Sequence, residues 1–118
     1  MNVVGGHGIT FNQSVGLYRH SFGYPAPDSR FPPFQTTYNG EDLAYCPAYD
    51  TYDTYGVMKI DCTMTGGASG GPWITSPRSD WMGFVNSVNS HKAWGSYFMG
   101  GPYFGQAESD LFQYWRSR

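Results

Sequence analysis

Charge is scarce in this sequence. Of its 118 residues only seven are Lys or Arg and nine are Asp or Glu, for a net charge of −2. Such a chain has no basic field for a nucleic acid backbone and no polybasic patch for a membrane surface. Long apolar runs are missing too: no stretch approaches the roughly 18 apolar residues of a membrane-spanning helix. The opening residues, Met1-Asn2-Val3-Val4-Gly5-Gly6, have neither the basic start nor the apolar run of a secretory signal. Cysteine is limited to Cys46 and Cys62. What is plentiful is aromatic (19%), with sixteen glycines and eight prolines. That balance favours many short strands and turns over helices, in a chain long enough for one domain with an aromatic core.

The two cysteines are open to two readings. Paired, they close a loop worth about 3 kcal/mol in the chain-entropy model and place the protein in an oxidising compartment. Unpaired, they are two buried thiols. We expect the disulfide, and with it a secreted protein. A secreted chain without a visible signal is consistent if residues 1–118 are the back part of a longer precursor.

Along the chain, residues 1–27 read as two strands and a turn. Val3-Val4 lead into Gly5-Gly6, and Val15–Arg19 begins a second run that ends at Gly23-Tyr24-Pro25-Ala26-Pro27. Asn12-Gln13-Ser14 fits a glycosylation sequon, a weak signal. Pro32-Pro33 reads as irregular loop and Asn39-Gly40 as a turn, with a strand from Tyr45-Cys46. The repeat Tyr49-Asp50-Thr51-Tyr52-Asp53-Thr54-Tyr55 alternates aromatic with polar. Asp50 and Asp53 could be taken for hard-cation ligands, but six or more oxygens are wanted; a twisted hairpin with a tyrosine face is the better reading. No metal and no cofactor are expected. Strands follow at 56–60, 73–76 and 81–90, the last two joined by a turn at 76–80, and another strand at 101–105. From Ala107 to Arg118 the period changes: Leu111 and Trp115 lie four apart, acids come early and Arg116 and Arg118 late, as a helix dipole prefers.

The chemistry concentrates at residues 62–73, Cys-Thr-Met-Thr-Gly-Gly-Ala-Ser-Gly-Gly-Pro-Trp. Two glycine pairs flank one small hydroxyl residue, Ser69. A loop with glycine at these places bends tightly and turns successive N–H groups toward one concavity. That suits acyl transfer, with Ser69 Oγ as the nucleophile and the N–H groups of Gly67 and Ser69 as an oxyanion hole. Pro72 then fixes the exit into a strand.

Gly67-Ala68-Ser69-Gly70-Gly71-Pro72 resembles the serine-nucleophile loop of the chymotrypsin-like peptidases, commonly G-D-S-G-G-P. The longer form from Met64 to Trp73 is similar to the secreted bacterial, glutamyl-endopeptidase-like branch of the trypsin-like serine peptidases. The resemblance implies an all-β fold: an antiparallel Greek-key β-barrel, the second of the family's two, closed by a short C-terminal helix. It implies a serine endopeptidase acting on a polypeptide held as an added strand along 85–90. The repeat Val85-Asn86-Ser87-Val88-Asn89-Ser90 leaves that register open by three residues, with Val88-Asn89-Ser90 slightly favoured by spacing. Thr65 matches a pocket threonine of glutamate-selective relatives. Their pocket histidine, however, is replaced by Val85 or Val88, so with Met64 nearby the pocket reads as neutral or hydrophobic.

A serine nucleophile needs a base and a group to orient it. The family's His and Asp lie on the first barrel, which this chain lacks. His91 follows Ser69, out of order. His7 and His20 precede it, with Asp28 and Asp42 after them, and a triad from these would be a new invention, His20 being the better candidate. Val3-Val4-Gly5-Gly6 looks like the start of an activated trypsin-like enzyme, but the partner Asp is replaced by Ala68, so an ordinary strand and turn is the reading. The expected protein is therefore an incomplete protease whose partner is its own N-terminal barrel. Two other classes stay open. One is a non-catalytic aromatic-rich module binding carbohydrate or peptide, which predicts exposed coplanar rings; the other is an inert pseudo-enzyme.

Overall fold

The computed structural model describes residues 8–28, 37–52, 57–75, 83–92 and 97–117. Within them the order is β1 (Gly8–Ile9), β2 (Tyr18–Gly23), β3 (Ala44–Tyr49), β4 (Thr51–Tyr52), β5 (Val57–Asp61), β6 (Pro72–Thr75), β7 (Phe84–Val88), β8 (His91–Lys92), β9 (Phe98–Pro102) and α1 (Gln106–Arg116). The predicted all-β class with a C-terminal helix holds. Val3-Val4, His7, Pro32-Pro33, Asp53 and the 76–80 turn lie outside the described residues.

Two sheets share the core. One has the strand order β1-β7-β6-β2-β3, the other β4-β5-β9-β8. Every described pairing is antiparallel except β1 with β7. β2 alternates as a half-buried strand should: Arg19, Ser21 and Gly23 are buried, while Tyr18, His20 and Phe22 lie outward. Opposite them on β3, Tyr45, Pro47 and Tyr49 are exposed. The second apolar run starts as a strand only at Tyr18. Before it, Gly16 has φ +81° and donates its N–H to Asp50 Oδ1 at 2.7 Å. The Asn39-Gly40 turn forms, with Asn39 Oδ1 accepting from the N–H groups of Glu41 and Asp42. β4 pairs back on β5, as the predicted hairpin requires.

Met58, Ile60, Cys62, Met64, Ala68, Trp73 and Met99 form the apolar centre. Cys46 and Cys62 are joined as a disulfide, Cα atoms 5.4 Å apart. It ties β3 of one sheet to the residue that follows β5 of the other, at the start of the glycine-rich loop. Among the described residues, no buried side-chain nitrogen or oxygen lacks a partner. Arg19, fully buried, pairs with Asp50 at 2.5 Å, donates to Asn86 Oδ1 and reaches the carbonyl of Ser14 at 3.2 Å. Asp50 is thus committed to an arginine rather than to a cation.

The helix is docked differently from the strands: none of its residues is buried. Leu111 is 60% exposed and Trp115 66%. Phe112 touches Phe11, ring centroids 5.6 Å apart, and Phe11 lies 6.1 Å from Phe104. Between β1 and the helix these residues, with Ile9, line an open apolar groove of about 620 Å³.

Candidate active site

Two segments pass side by side from one sheet to the other. Residues 62–71 leave β5 in the four-stranded sheet and enter β6 in the five-stranded one; residues 89–90 leave β7 and enter β8 in the opposite sense. They are tied at both ends. At one end Gly70 N–H donates to the Asn89 carbonyl and Asn89 N–H to the Gly71 carbonyl, each at 2.8 Å. At the other, Lys92 Nζ donates to the Cys62 carbonyl at 2.6 Å. Between the ties, Gly66, Gly67, Ser69, Ser90 and His91 are exposed, while Met64 and Thr65 are buried. Ser69 sits at the Asn89 end.

The loop's own bonds follow its sequence. Ala68 N–H donates to the Thr65 carbonyl at 3.3 Å and Gly71 N–H to that of Ala68 at 3.1 Å. Gly67 has φ +95°, a conformation that side chains resist. With Gly70 N–H also used, the N–H groups of Gly67 and Ser69 alternate with occupied ones. Among the described residues nothing accepts from either. The Gly-Tyr-Pro-Ala turn buttresses this arrangement: Ala26 N–H donates to the Gly66 carbonyl at 2.8 Å, and Thr65 Oγ1 donates to the Ala26 carbonyl.

The other predicted site residues lie on or next to the same two segments. Thr65 is buried, its hydroxyl spent on Ala26. Met64 lies in the core at 0% exposure rather than on an open wall. Val88 is half-buried and pairs with Pro72. Ser90 is exposed and gives its N–H to the Gly100 carbonyl at 2.9 Å. Asn89 is 1% exposed, and its side chain faces the glycine-rich loop. Its Nδ2 donates to the carbonyls of Phe22 and Ala68, both at 3.0 Å. Its Oδ1 accepts from Ser21 Oγ at 2.6 Å and Trp73 Nε1 at 2.8 Å.

Neither described histidine hydrogen-bonds Ser69. His20 lies on the outer face of β2, its Nδ1 bonded to Tyr45 OH and its ring stacked on Tyr45 at 5.8 Å, 3° from parallel. Burial lowers its pKa. His91 leans over Gly100, where an added Cβ would lie 2.5 Å from the imidazole. Asp42 accepts from Asn39 Nδ2. Among the described residues no three His, Cys, Asp or Glu cluster as a metal site, and no helix is long and apolar enough to cross a membrane.

Two roles escaped the motif reading. Lys92 is half-buried, and burial pulls its pKa down to about 8. Asn89 holds the loop through its side chain, not only its backbone. A repeat containing Asn twice in a strand was the available signal for the second; nothing local marked the first.

The chain is similar over 94% of its length to the protease Anisep from Arthrobacter nicotinovorans, at 41% identity and a TM-score of 0.74. Over 92% it is similar to AL20, a thermostable serine protease from an extremophilic microorganism, at 37% identity and a TM-score of 0.73. A Glu endopeptidase solved in complex with MPD shares the fold over 99% of this chain, at 17% identity and a TM-score of 0.71. No protein-family model and no curated protein matches the sequence. This chain covers 48%, 47% and 50% of those three solved chains, about half of each.

Proposed function

We propose that this chain, which shares its fold with about half of each of two serine proteases, supplies the nucleophile half of a secreted, trypsin-like serine endopeptidase. Residues 1–118 are read as that enzyme's second barrel, and the N-terminal barrel carrying His and Asp as its partner. The observation that carries the reading is the loop around Ser69. Its hydroxyl is exposed beside two N–H groups left free while their neighbours are bonded. Ser69 is the nucleophile, and Gly67 and Ser69 donate to the oxyanion. The peptide lies along the exposed Ser90 end of Val88-Asn89-Ser90, because the N–H and carbonyl of Asn89 are committed to Gly71 and Gly70.

Alone, the chain is a poor catalyst. A serine hydroxyl without an adjacent base is a weak nucleophile, and neither described histidine supplies one. The apolar groove beside α1 supports the need for a partner, since exposed patches of this kind mark interaction surfaces. The aromatic-module alternative is less well supported: Phe22, Tyr45 and His20 stack on one another, spending the ring faces a sugar would use. Fluorophosphonate labelling tests the reading. Labelling should be faint for the chain and strong once the upstream barrel is added, and it should vanish in Ser69→Ala. Strong Ser69-dependent labelling of the chain alone would overturn the incomplete-enzyme reading and make His20 the base to examine.

Beyond Thr65, the two segments are tied by the Lys92 ammonium, which has three donors, of which Cys62 takes one. This favours an acidic side chain over the neutral or hydrophobic one that Val88 and Met64 suggest. Since Lys92 is cationic below about pH 8, the preference should be full at neutral pH and fade above that value. In the assembled protease, Lys92→Met should cut kcat/KM for glutamyl substrates about tenfold or more while sparing leucyl ones, as for loss of a charge-assisted bond. Equal losses on both substrates would remove Lys92 from the pocket.

A further inference from the structure

Two carbonyls aim the two free N–H groups of the loop. In a trans peptide unit the carbonyl of one residue and the N–H of the next point in opposite directions within one plane. Whatever holds the carbonyl therefore sets the direction of the N–H. The Gly67 N–H shares its peptide with the Gly66 carbonyl, which accepts from Ala26 N–H at 2.8 Å. The Ser69 N–H shares its peptide with the Ala68 carbonyl, which accepts from Gly71 N–H at 3.1 Å and from Asn89 Nδ2 at 3.0 Å.

We propose that Asn89 is the positioning residue of the nucleophile loop: by holding the Ala68 carbonyl inward, its side-chain amide turns the Ser69 N–H outward toward the oxyanion. This rests on the reading of Ser69 as a nucleophile and gives that site a component its motif does not contain.

The residue is built for the task. Its carboxamide has two donor hydrogens and one acceptor oxygen with two lone pairs, and all four capacities are filled. Both hydrogens go to main-chain carbonyls, one on β2 (Phe22) and one in the loop (Ala68). The oxygen accepts from Ser21 on β2 and Trp73 on β6. Two further main-chain bonds fix its backbone to Gly70 and Gly71. The amide thus references the loop to the five-stranded sheet. The fit around it is tight. A Cβ at Gly71 would lie 2.7 Å from Asn89 Nδ2, and one at Gly23 would lie 3.2 Å from it. Aspartate has the same shape but faces both carbonyls with oxygen, so Asn89→Asp removes the donors and little volume.

The test uses Asn89→Asp and Asn89→Ala, with Ser21→Ala as a milder change that removes one bond to Oδ1 and leaves both donors in place. In the chain alone, amide hydrogen exchange is read at Ser69, Gly70 and Gly71. In the assembled protease, kcat, KM and the affinity for a peptide boronate, which mimics the tetrahedral intermediate, are measured. Both Asn89 variants should accelerate exchange at Gly70 and Gly71. They should lower kcat roughly ten- to hundredfold with KM nearly unchanged, below the 10²–10³ of a deleted oxyanion donor, and boronate affinity should fall in parallel. Ser21→Ala should fall between them and the parent, and decides the matter should neither Asn89 variant fold. Folded variants with parental exchange, or with parental kcat despite faster exchange, would overturn the proposal. A parental assembly inactive on every peptide would count against the protease reading, while the exchange result would still decide whether Asn89 holds the loop.

Discussion

Replacing Asp50 by Ala should destabilise the fold by about 3–5 kcal/mol, the range for removing one partner of a buried ion pair. The reason is what remains. Arg19 is 0% exposed, and its guanidinium would keep only Asn86, the Ser14 carbonyl and a distant contact with Met58 sulfur. A buried cation without a counter-charge is far more costly than the pair itself is worth. Asp50 also receives Gly16 N–H, so the turn before β2 would lose its anchor. Urea unfolding of Asp50→Ala, Arg19→Met and a combined Arg19→Met/Asp50→Asn chain at neutral pH gives the measurement. The double variant should be more stable than either single one, since it leaves no orphan charge and a partner for Gly16. Additive losses would mean that the two residues act separately.

Gly71→Ala should be the most disruptive of the changes in the glycine pairs. A Cβ there would lie 1.9 Å from the carbonyl oxygen of Phe22, main chain against main chain, with no flexible side chain to yield. The loop would have to lift off β2, breaking its ties to Asn89. The cost belongs at or beyond the upper end of the roughly 1–3 kcal/mol of ordinary overpacking, and Ser69 labelling in the assembled protease should be lost with it. Gly66 is the internal control: nothing lies within 4 Å of its Cβ position and its backbone is unremarkable, so Gly66→Ala should shift stability by about 0.5 kcal/mol or less. Similar losses at the two positions would show that the loop is held by something other than this contact.

The tight glycine-rich loop, the disulfide and the C-terminal helix were legible because each is written locally: two glycine pairs, two isolated cysteines, a change of period. What could not be read depends on partners far along the chain. Arg19 looks like a surface residue until β2 is placed with its odd-numbered side facing inward and Asp50 arrives at the corner between β3 and β4. The Val-Asn-Ser repeat runs through an irregularity in the strand. Ser87 pairs with Trp73 but Val85 with Ile74, so Asn86 is an extra residue on β7. Such a bulge re-aims a side chain. Asn86 is thereby buried against Arg19, while Asn89 stays directed at the loop. A spacing of three, foreign to a regular strand, serves two buried tasks. The bond of the Thr65 hydroxyl to Ala26 comes from a turn nearly forty residues earlier, which no pattern around Thr65 announces.

The ties that hold the loop also set when it can exist. Ser21 meets Asn89 across 68 positions, and Asn86 meets Thr10 across 76. Local turns and the β2–β3 pairing can begin early, but Ser69 has no fixed surroundings until β7 has joined β6 and residue 89 has been made. Contacts so distant in sequence slow a fold, because loop closure must precede their reward; β-rich domains of this kind fold in milliseconds to seconds. On a chain emerging from a ribosome, the serine would be exposed to solvent well before it was anything but an ordinary alcohol.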